Sequence, residues 1–429
     1  MKLNKLELHN YRGFETFHAS FHDKLTVIVG DNGAGKTSLL DAAAVAIGTF
    51  FAGLDGVPSP GIAKGDVMNR CFDMGSVIDL QPQFPVRIIA DGVVANQEIQ
   101  WERELNSAEG RTTTVMARSL IRIAEDCQKR IRAGDKQVIL PLLSYYGTGR
   151  LWAQKKEKKA VDTIERFNRL SGYVDCLAAA SNEKLMLKWF EKMTIQEATS
   201  RKISPEFSAV KAAISQCFAG ITGYSEIHAE YNLDTAGIDI LFTAPDGSHQ
   251  RSPMKNLSDG YKNTLSMIAD IAYRMAVLNP QLLENALVQT PGVILIDEVD
   301  LHLHPVWQQR ILADLTTIFP AVQFIVTSHA PSVINSVRKE NILILSHGNV
   351  GYSPAEEVYG SDSNSILTSV MAASERPIHV KQRFLDFYSA IDQHELDKAE
   401  IILGEIEVLI GTADPELTSA RVTLDLEKM

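Results

Sequence analysis

Cysteine is scarce in this chain. Cys71, Cys127, Cys176 and Cys217 are the only four in 429 residues, and they form neither a CxxC pair nor a Cys/His spacing suited to zinc. They read as reduced thiols, as expected of a cytoplasmic protein. Long apolar runs are missing as well: the longest uncharged apolar stretch, residues 42–54, falls short of the ~18 residues of a membrane span. No membrane contact is therefore expected. The opening MKLNKLELHN has no apolar segment ahead of a small-residue cleavage site, so no secretory signal is expected. Nor is there the basic excess of a general nucleic-acid binder, since the formal net charge is −11. The exception is the segment 111–159, with 12 Lys/Arg against 4 Asp/Glu. It suits contact with the phosphates of a nucleic acid, and it also suits a solvated helix face carrying Arg118, Arg122, Lys129, Arg130, Arg132 and Lys136.

What is present is 45% hydrophobic and 22% charged residues, ordinary for a chain that buries a core, and length enough for two to three domains. A strand begins at Leu3, Leu6 and Leu8, and short apolar runs predict others at 25–29, 86–90, 98–104, 138–145, 238–242, 293–296, 324–327 and 342–345. Helical periodicity dominates 114–132, 182–199, 206–218, 261–278 and 306–319. Their alternation predicts an α/β fold, a mostly parallel sheet flanked by helices with an antiparallel β portion. The chain reads as an N-terminal lobe (1–154), a mainly helical insertion (155–255) ending in a hairpin turned at Asp246-Gly247, a C-terminal lobe (256–352) and a helical C-terminal region (353–429). The last is acidic, with 15 Asp/Glu against 6 Lys/Arg. Within it Phe384, Leu385 and Tyr388 share one helical side, as do Leu396, Ala399, Ile402 and Leu403.

Gly30-Asp31-Asn32-Gly33-Ala34-Gly35-Lys36-Thr37 fits G-x-x-x-x-G-K-[ST], directly after an apolar strand and directly before a helical run opening at Ser38. Such a loop wraps a phosphate chain with successive backbone N–H groups, so ATP with Mg²⁺ is the expected ligand pair. Lys36 is expected at the β/γ-phosphates and Thr37 on the metal. Val293-Ile294-Leu295-Ile296-Asp297-Glu298 is an aliphatic strand ending in two carboxylates, where Asp297 would hold Mg²⁺ and Glu298 would polarise the attacking water. Leu257-Ser258-Asp259-Gly260-Tyr261 opens a helix 39 residues before Asp297, and Thr327-Ser328-His329 follows the next strand. As an isolated string the first would simply cap a helix through Ser258.

In this order the motifs resemble the ABC series, with LSDGY in place of the commoner LSGGQ. The resemblance implies that Ser258, Asp259 and Gly260 contact the γ-phosphate bound by an opposite subunit, so that the ATP-bound protein is a homodimer. It also implies that His329 senses the γ-phosphate. The opening Asn10-Tyr11-Arg12-Gly13-Phe14, the GDNGAGKT loop and the stretch Glu298-Val299-Asp300-Leu301-His302-Leu303-His304-Pro305 resemble the SMC-like, RecF-like and OLD-like ABC-class ATPases. In that group Arg12 would approach the nucleotide and the Asp300–His304 loop would cross the dimer. His302 and His304 alone make a poor metal site. The chain departs from the group in three ways. It has no sustained heptads or CxxC hook between Lys36 and Ser258, no Toprim signature after His329, and only Gln154 as a weak counterpart of the Q-loop glutamine.

Tyr145-Tyr146-Gly147-Thr148-Gly149-Arg150-Leu151-Trp152 and Tyr359-Gly360-Ser361-Asp362-Ser363-Asn364-Ser365-Ile366-Leu367 resemble segments of the ATPase subunit of Septu-type and retron-associated anti-phage systems. That subunit has no nuclease of its own and works with a separate HNH nuclease. The expected function is an ATPase regulating such a partner. A RecF-like DNA-repair clamp is the alternative, and a transporter ATP-binding subunit the weakest of the three. The acidic C-terminal region favours a basic protein partner over DNA.

Overall fold

The computed structural model describes residues 1–75, 77–151, 168–178, 183–346 and 351–428. Gln154 lies outside them. The chain opens with alternating residues that make one-sided strands. β1 (Lys2–Tyr11) and β2 (Phe14–Ser20) form an antiparallel pair, burying Leu6, Leu8 and Phe17 on one face. Next come β3 (Leu25–Gly30), buried from Leu25 to Val29, and α1 (Lys36–Gly48). After α1 an exposed hairpin, β4 (Asn69–Asp73) with β5 (Ile78–Pro82), precedes β6 (Val86–Val94), β7 (Gln97–Leu105), α2 (Arg118–Arg132) and β8 (Leu142–Tyr146). The antiparallel sheet runs β2-β1-β6-β7.

α1 is buried on nearly every side because it packs against this sheet and against the central sheet at once. Its run of alanines permits that close approach, and Trp101 Nε1 on β7 donates to the Ala46 carbonyl at 2.9 Å.

Two helices follow, α3 (Glu183–Ser200) and α4 (Pro205–Thr222), and then a three-stranded antiparallel sheet of β9 (Ser225–Asn232), β10 (Gly237–Thr243) and β11 (His249–Pro253). The predicted hairpin is β10–β11. β9 was not anticipated, since its sequence, SEIHAEYN, is mostly polar and buries only Ala229 and Tyr231. α5 (Asp259–Leu278) and α6 (Ala286–Gln289) lead into β12 (Gly292–Ile296). The predicted helix 306–319 is two helices, α7 (Pro305–Gln308) and α8 (Ile311–Ile318), interrupted at Arg310 with φ −110°. β13 (Val322–Thr327), α9 (Pro331–Ile334), β14 (Ile342–Leu345) and β15 (Gly351–Tyr352) complete this unit.

The central sheet has the order β15-β14-β3-β13-β12-β8, parallel except for β15. β8 starts at Leu142 rather than at residue 138. The Asn279 side chain meets Leu140 as a strand partner would, with Oδ1 accepting its N–H at 2.8 Å and Nδ2 donating to its carbonyl at 2.9 Å.

A second unit, Asp362–Met429, divides from the first after Ser361. It holds α10 (Ser363–Ser369), α11 (Ile378–Asp392), α12 (Leu396–Ile410) and α13 (Pro415–Glu427). The last three enclose a core of their own, including Phe384, Phe387, Ala399, Ile402, Leu403, Ile406, Leu417 and Leu424. Tyr388 and Leu396 pack against that core while half-buried. Leu385, expected to share the face of Phe384, is exposed, and Phe387 takes the inward position. The inward face of α11 runs through 380, 384, 387 and 391, a seam that excludes 385.

Candidate nucleotide-binding site

Ligands of parallel sheets bind beyond the carboxyl ends of the strands, and here that edge brings three motifs together. β3 delivers residues 30–37, β12 delivers Asp297 and Glu298, and β13, lying between those strands, delivers Thr327, Ser328 and His329. The loop after β3 turns through Gly33 at φ +84° and Gly35 at φ +95°, angles that side chains disfavour. A Cβ at Gly30 would lie 2.4 Å from the Leu345 carbonyl oxygen, and one at Gly35 would lie 2.6 Å from the Phe14 ring. The Asn10–Phe14 element therefore packs directly on the loop. Gly35 occupies the N-cap of α1 with no side-chain cap, and the first turn carries no acid, so its backbone N–H groups suit an anion. Asp31, Asn32 and Gly33 form the exposed rim and Ala34 the buried floor.

Lys36 Nζ donates to the Gly30 and Asp31 carbonyls, each at 2.8 Å, and burial lowers its pKa. Thr37 Oγ1 donates to Asp297 Oδ2 at 2.9 Å across 260 residues of sequence. The other carboxylate oxygen of Asp297 accepts from Thr327 Oγ1 at 2.6 Å. Thr327 Oγ1 also accepts the Glu298 N–H at 2.7 Å. Glu298 holds φ +48°, and this left-handed turn carries the chain off β12, letting Val299 N–H reach the Thr327 carbonyl at 3.0 Å. His329 is half-buried on the loop after β13.

Arg12 sits beside the start of α1. Its guanidinium donates to Asp41 Oδ2 at 2.6 Å, to Asp66 Oδ1 at 2.8 Å and, more weakly, to Ser38 Oγ at 3.5 Å. Tyr145 near the end of β8 lies close to Asp41 and Asp297. Burial, then Asp41 and Asp297, push its hydroxyl pKa above the ordinary range. The sequence reading missed Asp41, Asp66, Tyr145 and the central part of Thr327. For Thr327 the signal was present in the quoted Thr-Ser-His string.

Ser258 is not brought to this loop. It caps α5 with no side-chain capping bond, is exposed, and α5 packs beside β8, with β13 and β12 separating β8 from β3. Asp259 is exposed beside it, and Gly260 is buried against the Asp300–His304 segment: a Cβ there would meet the His302 carbonyl at 2.5 Å. Tyr261 meets Trp307 with ring centroids 4.2 Å apart. His304 caps α7.

An AAA domain family model matches residues 5–221, half of the chain, and a second AAA domain model matches 225–335. The chain belongs to the AAA domain family. This AAA domain protein is 25% identical to the "Retron Ec83 probable ATPase" of Escherichia coli over 88% of its own length and 77% of the relative's. It is 23% identical to "Septu protein PtuA" of Bacillus mycoides over 80% of its length and 40% of the relative's. Among solved structures it aligns with the SMC head domain from Thermotoga maritima at TM-score 0.45 and 17% identity, over 82% of this chain and 98% of that one. The fold is that of an ABC-class P-loop ATPase head, and the resemblance to retron and Septu ATPases stands. Among the described residues no helix is long and apolar enough to cross a membrane.

Proposed function

We propose that this AAA domain protein binds and hydrolyses ATP, closes as a homodimer around it, and thereby regulates a separate HNH-type nuclease in anti-phage defence. The observation that carries the reading is the Thr37–Asp297 contact, which joins the phosphate loop to the acidic end of β12. The donor set fits Mg²⁺, since the Thr37 hydroxyl and the Asp297 carboxylate are hard oxygen ligands already held side by side. When bound, the cation supplies charge neutralisation at the transferred phosphoryl group. Lys36 would exchange its two loop carbonyls for the β/γ-phosphate oxygens. Glu298 would hold and polarise the attacking water, and His329 would sense the γ-phosphate. Arg12 and Ser38 belong to the nucleotide side of the same cradle. Ser258 and Asp259, both exposed, and Gly260, buried against His302, would serve ATP held by a second copy.

The defence role is supported by the names of the retron and Septu relatives, and the partner by the resemblance to Septu ATPase subunits. Copurification from native cells, with ATP turnover measured in Mg²⁺, tests both halves. Turnover together with a nuclease in the pull-down is expected. A chain that turns over no ATP and retains no nuclease would remove the proposal.

The DNA-clamp reading keeps one specific support. Arg118, Arg122 and Lys129 are exposed within one face of α2, a row suited to phosphates. A 42-residue stretch is also 45% identical to the RecF protein of Bacillus cytotoxicus, about 10% of this chain. Duplex binding that weakens steeply with salt and with loss of these three cations would favour it.

A further inference from the structure

A buried ion pair lies between α5 and the central sheet. Arg274 Nε donates to Asp270 Oδ2 at 2.7 Å, one helical turn away on α5, and both side chains are buried. The hydroxyl of Tyr146, the last residue of β8, donates to the same oxygen at 2.8 Å. Asp270 Oδ1 has no hydrogen-bond partner among the described residues, so the carboxylate is held through Oδ2. Burial, then Asp270, keep the Tyr146 hydroxyl pKa well above its ordinary value, and it stays a proton donor. Arg274 Nη1 also donates to the Gly172 and Val174 carbonyls at 2.8 and 2.9 Å. The same segment reaches β8, where the Cys176 carbonyl accepts the Tyr145 N–H at 2.8 Å. α5, β8 and residues 172–176 are thereby tied together at one point.

Tyr146 works in two directions. Its carbonyl accepts the Asp297 N–H at 2.8 Å, where β8 runs beside β12. Its side chain leaves the sheet on the face opposite to Tyr145 and meets α5, whereas Tyr145 lies close to Asp41 on α1. One residue thus joins the main chain of Asp297 to the helix that opens at Ser258. Asp270 lies about 18 Å along α5 from Ser258, at about 1.5 Å per residue. α5 is continuous over that length, so a displacement at Asp270 is carried to Ser258.

Stability alone does not call for such a cluster. Well-packed apolar side chains of similar volume commonly match or exceed a buried ion pair. Apolar contact is non-directional, however, and lets a helix slide or roll against its neighbours. Charge-assisted hydrogen bonds to fixed atoms on three separate segments do not.

We propose that Tyr146, Asp270 and Arg274 are positioning residues that fix α5 in register with the strand end carrying Asp297, so that Ser258 and Gly260 meet the γ-phosphate held by a second copy. This rests on the homodimer reading given under Proposed function, and it names the residues that tie one subunit's nucleotide site to its partner's.

Tyr146→Phe keeps the ring and removes the hydroxyl. ATP affinity should stay near wild type, because residues 30–37 are untouched, while turnover at saturating ATP falls roughly tenfold or more. The variant is then mixed with Lys36→Ala. The composite site that retains Lys36 belongs to the Tyr146→Phe chain and is served by the α5 of the Lys36→Ala chain, which is held normally. Turnover of the mixture should therefore exceed the sum of the two variants assayed apart. Ser258→Arg mixed with Lys36→Ala is the control.

The triple change Tyr146→Phe, Asp270→Leu and Arg274→Met replaces the whole cluster by apolar side chains. It should melt near or above the wild type and still lose turnover, which separates positioning from stability. Full turnover in either variant, or a loss of ATP affinity that accounts for the lost turnover, would overturn the proposal. So would a mixture that shows no recovery while its control recovers, since the hydroxyl would then act on Asp297 of its own chain. A control that fails to recover although mixed dimers form would remove the homodimer reading, and this proposal with it.

Discussion

Thr327 holds Asp297 in place: its Oγ1 donates a 2.6 Å hydrogen bond to the Asp297 carboxylate while accepting the Glu298 N–H at 2.7 Å. One fully buried hydroxyl thus orients both acids of the candidate site. Thr327→Val keeps the shape and removes the donor and acceptor. ATP turnover is expected to fall roughly 10–100-fold, the usual cost of losing a group that orients a ligand, with ATP affinity little changed. Unfolding stability should drop by about 1–3 kcal/mol for the buried groups left unpaired. Thr327→Ser should recover most of the turnover. Wild-type rates in the valine variant would refute the orienting role.

Lys36 and Glu298 should separate binding from chemistry. Lys36→Ala is expected to abolish ATP binding, because the loop loses its only cation. Glu298→Gln should retain binding and slow hydrolysis roughly 10²–10⁴-fold, the range for a lost general base. Titration of a fluorescent ATP analogue beside a phosphate-release assay checks both. Unchanged turnover in Glu298→Gln would transfer the water-activating role elsewhere.

The exposed cap at Ser258 predicts action on a second copy. Ser258→Arg should leave the first ATP bound normally and block ATP-driven dimerisation, read by light scattering. Mixed with Lys36→Ala, it should regain partial activity, since one composite site of the mixed dimer then holds neither change. No rescue in mixed dimers shown to form would argue against a shared site.

Asp414 makes the second unit sensitive to acid. It accepts the N–H groups of Glu416 and Leu417 at the start of α13 and pairs with Arg376, whose hydrogen bond is the main cause of its pKa lying below the ordinary 3.8. A depressed carboxylate stabilises the fold above its unfolded pKa, and that contribution is lost as pH falls through the folded value. The melting temperature of Asp414→Asn should therefore lie below wild type at pH 7. The gap should close as the pH is lowered from 4 toward 2. A gap independent of pH would assign the difference to packing instead.

Much of the candidate site was legible in the order of residues. The phosphate loop, the aliphatic strand ending in Asp297-Glu298 and the Thr327-Ser328-His329 string are each contiguous, so backbone spacing alone places their groups. Most strands and helices followed from period-2 and period-3.6 patterns. The exceptions include β2, the exposed hairpin β4–β5 with no apolar alternation to mark it, a polar β9, an asparagine standing in for a strand at Leu140, and a break at Arg310. Leu385 faces outward although it neighbours Phe384, because one helical turn offers several apolar residues and only the neighbouring helices choose among them.

The sequence by itself determined the local chemistry: which loop can wrap phosphate, which strand ends in carboxylates, and which region carries the acidic excess. Tertiary structure alone decided the meetings between distant residues. Thr37 reaches Asp297, and Thr327 serves both acids, because β13 lies between β3 and β12. Arg12 joins Asp41 and Asp66, and Gly260 lies against His302, through the packing of separate elements. Buried parallel strands are mostly apolar and differ little from one another along the chain. Their order in the sheet is set by crossover packing rather than by any local pattern.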